Sequence, residues 1–223
     1  MANDKLKIRI TNDGSSTLSS KFENEHYHSV HGALSESLHV FIQNGLLQIH
    51  KKKISILEMG FGTGLNTLLT FIHKNKCKQI NYHSIESDPI DSAMALKLNY
   101  LEQLKIEKLK DFFSEIHHCS WDEKHFLDHS FNFIKWKTTM QEVSFTEQYD
   151  LVYYDAFGPR VQPELWTEEL FLKIFNSMNE EGVLVTYCAK GEVKRILKRV
   201  GFTVKSLPGP PGKREMTQAI KIG

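Results

Sequence analysis

The run Glu58-Met59-Gly60-Phe61-Gly62-Thr63-Gly64 limits what this chain can fold into more sharply than any other feature. It follows a short apolar segment, 54–57, that reads as a strand, and it runs into an apolar helix expected from about 66 to 73. A strand passing directly into a helix through glycines at alternate positions opens a βαβ unit. Those glycines allow φ > 0 and bring the backbone close to a ligand. A turn that cradles a pyrophosphate is spaced G-x-G-x-x-G. Here the spacing is G-x-G-x-G with an acid just before it, which suits a cofactor lacking pyrophosphate. The same glycines also fit a tight strand-to-helix turn with no ligand.

The rest of the chain repeats the alternation of strand and helix. A second strand is expected at 80–86, then a helix over 89–100 entered through Asp88-Pro89. Residues 101–130 read as helical with weaker patterning, a cap on the sheet. Strands are expected at 131–136, 149–155 and 182–187, with a helix over 166–178 before the last of these and a basic helix after it through Val200. Residues 202–206 and 216–222 form a final strand pair joined by the rigid loop Leu207-Pro208-Gly209-Pro210-Pro211-Gly212 rather than by a helix. Strands alternating with helices give a mainly parallel sheet, and a last strand joined without a helix inserts antiparallel. The expected fold is therefore α/β and Rossmann-like, in its class I S-adenosylmethionine-dependent methyltransferase variant, with a seven-stranded, mostly parallel sheet. The closing hairpin separates it from the dehydrogenase variant. At 223 residues the chain reads as a single methyltransferase domain, with 1–50 as N-terminal lead-in and cap and 51–223 as the core. Within the lead-in, 1–32 is irregular or hairpin-like, and 34–47 has helical apolar spacing at Leu34, Leu38, Phe41 and Ile42.

In open α/β sheets a ligand sits at the carboxyl ends of the strands. That places Glu58, Gly60, Phe61, Gly62, Thr63, Gly64 and Asn66 around a cofactor at the first turn. Glu86, with Ser87, ends the second strand about 20 residues further on, where a carboxylate can accept both ribose hydroxyls. A solvated strand-end acid is the plainer reading of Glu86. The fourth strand delivers Asp155 and Ala156 to the cofactor's reactive end. A carboxylate there is favoured in its charged form by a nearby cation and can hydrogen-bond or deprotonate an incoming amine. A helix N-cap would also explain Asp155. Tyr27, Phe157, Trp166 and Tyr187 are candidates to stack a flipped base, although each also suits a core position.

Composition narrows the classes. A formal net charge of +1 is not that of a protein held to nucleic acid by bulk electrostatics, so any RNA is expected on local patches: Lys51-Lys52-Lys53, residues 190–199 and Lys213-Arg214. Three widely spaced cysteines, Cys77, Cys119 and Cys188, suggest neither a disulfide framework nor zinc. The eleven histidines show no metal-ligand spacing, and His26 and His28 read as surface residues of a polar lead-in. No metal is expected, no membrane span or signal peptide is evident, and a cytoplasmic location fits best.

Taken together, three stretches resemble the bacterial tRNA 5-methylaminomethyl-2-thiouridine methyltransferases: 59–66, Asp155-Ala156-Phe157-Gly158-Pro159 through Gln162-Pro163-Glu164-Leu165-Trp166, and Gly212-Lys213-Arg214-Glu215-Met216. Tyr27-His28-Ser29, Gly32, Glu36-Ser37 and His39-Val40-Phe41 resemble the same family, so the likeness spans nearly the whole chain. It implies transfer of a methyl group from S-adenosylmethionine to the aminomethyl nitrogen of a tRNA wobble uridine. It further implies that Gly60, Gly62 and Gly64 line the cofactor, that Glu86 binds its ribose and that Asp155 addresses the amine. Tyr27, Glu36, Phe157, Pro159, Trp166, Lys213 and Arg214 are the corresponding substrate candidates. The chain resembles the stand-alone form without a fused flavin-dependent oxidase, so no flavin is implied. It departs from the family where Trp136-Lys137-Thr138-Thr139 replaces an expected Gly-Asp, leaving the adenine to backbone groups and apolar packing. Gln162 also replaces an expected Asn. Two other readings remain: methyl or aminopropyl transfer to a small-molecule amine, and a non-catalytic module that binds RNA or cofactor.

Overall fold

The computed structural model describes residues 6–19, 25–74, 78–145 and 148–223; Cys77 lies outside them. A small antiparallel hairpin of β1 (Ile8–Ile10) and β2 (Ser16–Leu18) begins the fold, as the lead-in suggested. Asp13 in its turn accepts the backbone N–H and hydroxyl of Ser35 at 2.8 and 2.7 Å, which straps the hairpin to the next helix. That helix, α1 (Ala33–Ser37), runs straight into a wider π-helical turn over Leu38–Gln43.

The remaining strands form one sheet. They are β3 (Lys53–Met59), β4 (Gln79–Ile85), β5 (Lys124–Asp128), β6 (Phe131–Trp136), β7 (Tyr149–Tyr154), β8 (Met178–Thr186), β9 (Phe202–Pro208) and β10 (Glu215–Lys221). Their order is β5-β6-β4-β3-β7-β8-β10-β9. The five strands from β6 to β8 are parallel, and β10 inserts antiparallel between β8 and β9, as expected from the helix-free closing connection. Helices cover both faces, so alternate residues of a central strand enter different cores. Ile54 and Ile56 of β3 pack on one side, Leu57 and Met59 on the other. The same division separates Leu151 and Tyr153 of β7 from Val152 and Tyr154. Burial on both faces explains why β7 is a continuous apolar run.

The strand count is eight, not seven. The extra strand, β5, lies inside the stretch expected to be helical and pairs antiparallel with β6 at the sheet edge. It has no fully buried residue and leaves Phe126 75% exposed, so it carries no apolar alternation to read. The helix expected over 89–100 is also broken. It splits into α3 (Ser92–Ala95), capped by the Asp91 carboxylate, and α4 (Tyr100–Leu104). Between them Asn99 turns its side chain to the hairpin, accepting from Ser16 N–H at 2.7 Å and donating to the Gly14 carbonyl at 2.9 Å. The other helices are α2 (Leu65–His73), α5 (Lys110–His118), α6 (Glu168–Asn176) and α7 (Gly191–Val200). Among the described residues no helix is long and apolar enough to cross a membrane.

Candidate functional site

A cavity of about 840 Å³ opens at the carboxyl ends of β3, β4 and β7, a volume usual for a small-molecule site. Its floor is the β3–α2 turn. Gly60 has φ +100°, and a Cβ there would lie 2.8 Å from the Asp155 carbonyl oxygen, so the turn requires glycine. The N–H groups of Gly60 and Phe61 both donate to the Ile85 carbonyl, tying the turn to β4. Gly64 has φ +72°, and a Cβ there would meet the His117 ring at 2.9 Å; it shapes the turn and does not line the cavity.

Two carboxylates face the cavity from different strand ends. Glu86, just past β4, accepts the Gly62 N–H at 3.0 Å and the Asp88 N–H at 2.9 Å. Burial raises its pKa above the ordinary carboxylate value, with those N–H groups pulling the other way. Asp155, just past β7, accepts the Asn66 amide N–H at 2.8 Å. Burial pushes Asp155 up to about 7; the Glu36 carboxylate adds to the rise, whereas Asn66 and Lys213 oppose it. Such a group holds or releases a proton near neutrality.

Beside Asp155 lies a second charged cluster. The Lys213 ammonium pairs with the buried Glu36 carboxylate and sits over the Tyr187 ring, 3.9 Å from its centroid. The Tyr187 hydroxyl donates to the Ala156 carbonyl at 2.8 Å, holding the backbone next to Asp155. Glu36 also accepts the Ser29 N–H at 3.0 Å, which fixes the lead-in over the cavity. Tyr27 and Phe157 meet edge to face on this wall, with centroids 5.3 Å apart.

The structure thus gathers Gly60, Phe61, Gly62, Thr63, Asn66, Glu86, Ser87, Asp155 and Ala156 with Tyr27, Glu36, Phe157 and Lys213 on one cavity. Glu58 is not on its wall: it lies beneath the turn with 0% exposure. Trp166 is also a core residue, 4% exposed and donating its indole N–H to the Phe157 carbonyl at 2.8 Å; it offers no face to a base. Pro159 and Arg214 lie off the wall. His28, expected at the surface, is half-buried on the wall, with its ring nitrogens facing the Thr17 and Thr63 hydroxyls. Burial pushes it down to about 4, so it is neutral at pH 7. Its polar sequence neighbours concealed this burial. The segment 138–142, where the family's acid is absent, also lines the cavity and brings Met140 close to Ile90.

These displaced acids and histidines fix a pH dependence of stability. Glu58, pushed up to about 8 by burial, binds a proton in the folded chain where the unfolded chain has lost it. Each acid raised in this way subtracts stability as pH climbs from the ordinary carboxylate range through its folded value. His28 and His117, both lowered by burial, have the opposite sign, but their effect is confined below their ordinary value of 6.5. From pH 6.5 to 8 the acids alone remain, so Tm is expected to fall, by roughly 2–4 °C for each ~1 kcal/mol lost. Scanning calorimetry across that window checks this, and a rising Tm would mean that Glu58 is already ionised at neutrality.

Comparison with known proteins places these features in a family. The sequence profile of the S-adenosyl-L-methionine-dependent methyltransferase family matches residues 100–222. The tRNA 5-methylaminomethyl-2-thiouridine biosynthesis bifunctional protein MnmC of Burkholderia thailandensis is 29% identical over 209 residues, covering 85% of this chain and 31% of that protein. Its namesake in Hydrogenovibrio crunogenus is 28% identical over 228 residues, covering 96% of this chain and 33% of that protein. The chain therefore spans about a third of the length of these curated relatives. Among solved structures, MnmC2 from Aquifex aeolicus aligns at a TM-score of 0.79 and 27% identity, over 98% of this chain and 70% of that one. Spermidine synthase from Thermotoga maritima shares the fold at a TM-score of 0.56 and 15% identity, over 99% of this chain and 70% of that one.

Proposed function

Because the chain belongs to the S-adenosyl-L-methionine-dependent methyltransferases, we propose that it methylates the aminomethyl nitrogen of 5-aminomethyl-2-thiouridine at the tRNA wobble position. The observation that carries this reading is Asp155, a carboxyl group that exchanges its proton near neutrality, on the wall of a cavity that also holds Glu86 and the glycine turn. The name and fold of the MnmC-type relatives supply the substrate class.

The residues present fit the cofactor. A carboxylate has about four acceptor positions, and Glu86 spends two on backbone N–H groups, leaving two for ribose hydroxyls. The backbone of Gly60 to Gly62 would run beside the amino-acid portion, and Ile90 with Met140 would offer apolar surface to the adenine. S-adenosylmethionine, when bound, supplies a methyl group activated on a sulfonium. The chain's own task is to present a neutral amine in line with that methyl and to exclude water. An aminomethyl group arrives mostly as an ammonium, which cannot attack. Asp155 takes the proton that the nitrogen must lose, and Asn66 keeps the carboxylate turned to the cavity. Tyr27 and Phe157 offer edges and faces to an extruded base.

Labelled S-adenosylmethionine, incubated with the protein and tRNA bearing 5-aminomethyl-2-thiouridine, should leave label at the wobble base. Label on a polyamine instead, with none on tRNA, would move the assignment to a small-molecule amine.

The charges around Asp155 predict how the rate depends on pH. The acid limb of kcat/KM follows the loss of the Asp155 proton, near pH 7. Glu36→Gln removes a neighbouring negative charge and should move that limb to lower pH. Lys213→Met removes the opposing positive charge and leaves Glu36 unpaired, so the limb should move to higher pH. Two shifts in the same direction would detach the limb from Asp155.

A further inference from the structure

Glu58 ends β3 one residue before the strand's last position and has 0% exposure, so it cannot touch a ligand in the cavity. One carboxyl oxygen, Oε2, accepts the Ser84 hydroxyl at 2.6 Å and the Thr67 hydroxyl at 3.4 Å. The other, Oε1, is buried without a hydrogen-bond partner. Asn66, in the first turn of α2 above it, has the matching deficiency. Its amide nitrogen donates to Asp155 at 2.8 Å, while its amide oxygen is buried without a partner.

Asn66 is a near neighbour of the Glu58 carboxyl and interacts with it. Unpartnered acceptor oxygens on adjacent buried side chains are costly, and an ionised Glu58 offers no donor to relieve either. A single proton on Glu58 satisfies both, because the acid's O–H can donate to the Asn66 carbonyl oxygen. An amide has two unlike ends. Whichever neighbour donates to its oxygen also decides which way its N–H groups point.

We propose that Glu58 is a positioning residue for Asp155: as an uncharged acid it donates to the Asn66 amide oxygen and so holds the Asn66 N–H on the Asp155 carboxylate. The burial that pushes Glu58 up to about 8 keeps the proton in place through neutrality. The other groups facing the pair do not compete for that role. Tyr82 from β4 and Tyr153 from β7 flank Glu58, and both are held neutral by burial. Asp155 is faced by Glu36 of α1, by Lys213 of the β9–β10 loop, and by Tyr100 and Tyr187. None of these reaches Asn66 in the structure's hydrogen bonds.

The inference rests on Asp155 as the group that meets the amine, but its test does not require tRNA. Carboxyl carbon-13 NMR of the free protein, with labelled Asp and Glu, reads Asp155 and Glu58 separately. In the wild type, Glu58 should remain protonated at pH 7; an ionised signal there overturns the proposal without any variant. Glu58→Gln supplies an N–H donor of the same size and should leave the Asp155 midpoint where it is in the wild type. Glu58→Met keeps much of the volume, removes the donor, and should raise that midpoint by about one pH unit. Methyl transfer measured at pH 7 should be retained by Glu58→Gln and fall with Glu58→Met. If Gln displaces the Asp155 midpoint as far as Met does, or Met leaves it unmoved, Glu58 is packing only. Should the Met variant fail to fold, the Glu58 signal and the Gln variant decide the matter. Failure of the tRNA assignment would show as absent methyl transfer with these titrations intact.

Discussion

Asp155→Asn is expected to lower methyl transfer to tRNA bearing 5-aminomethyl-2-thiouridine by about 100- to 10,000-fold, the range that a positioned general base contributes. The substitution is nearly isosteric, so Asn66 can still donate to the oxygen that replaces Oδ2. The packing of the β7 end on the glycine turn, through the Asp155 N–H and the Met59 carbonyl at 3.1 Å, is untouched. What disappears is the ability to accept a proton. Binding of S-adenosylmethionine should change only a few-fold, because Glu86 and the turn remain. Single-turnover kinetics with saturating cofactor, alongside calorimetric binding, separate the two effects. Activity retained within ten-fold would leave Asp155 an electrostatic neighbour rather than a base. A collapse of cofactor binding would instead make it a cofactor ligand.

The parts of the fold that were legible in the sequence are those where one physical demand dominates. The β3–α2 turn and the fully buried strands β4 and β7 declare themselves through glycine spacing and continuous apolar runs. The antiparallel β10 follows from a connection too short for a helix. Where demands compete, the pattern fades. Strand β5 is held by backbone pairing to β6 rather than by burial, so its side chains show no period. Asn99 interrupts a plausible helix because its side chain serves Ser16 and Gly14, far away in sequence.

The candidate site divides in the same way. Residues on strand ends and in the turn fall on the cavity because the topology alone places them there. Glu58 and Trp166 have the right chemical types at nearly the right positions, but the alternation of β3 sends one under the turn, and a bond to the Phe157 carbonyl holds the other in the core. His28 was missed for the opposite reason. Its burial depends on β2, whose Thr17 hydroxyl accepts the His28 N–H at 3.1 Å, and a polar lead-in gives no local sign of that contact. The Glu36–Lys213 pair joins residues 177 positions apart, so only the folded chain shows that these two substrate candidates neutralise each other beside Asp155.

Glu86→Ala is expected to weaken S-adenosylmethionine binding by about 100-fold. A hydrogen bond to a charged acceptor contributes roughly 1.5–3 kcal/mol, and each 1.4 kcal/mol is a factor of ten, so losing two such bonds to the ribose supports a change of that size. Part of the loss is indirect. Glu86 also accepts the Gly62 and Asp88 N–H groups, and without it the turn loses a bond that fixes its outer half. Glu86→Gln separates these contributions: its amide oxygen can still accept one backbone N–H, but the charge is gone and one acceptor has become a donor. Its affinity should fall between those of the wild type and the Ala variant. The free proteins provide the control. If Glu86 only caps the turn, the Ala variant will lose thermal stability while its cofactor affinity stays within a few-fold of the wild type. A 100-fold loss of affinity with a small change in Tm would assign the carboxylate to the ribose, because burial raises the pKa of Glu86 in the free protein and the cap alone gives that charge little reason to be there.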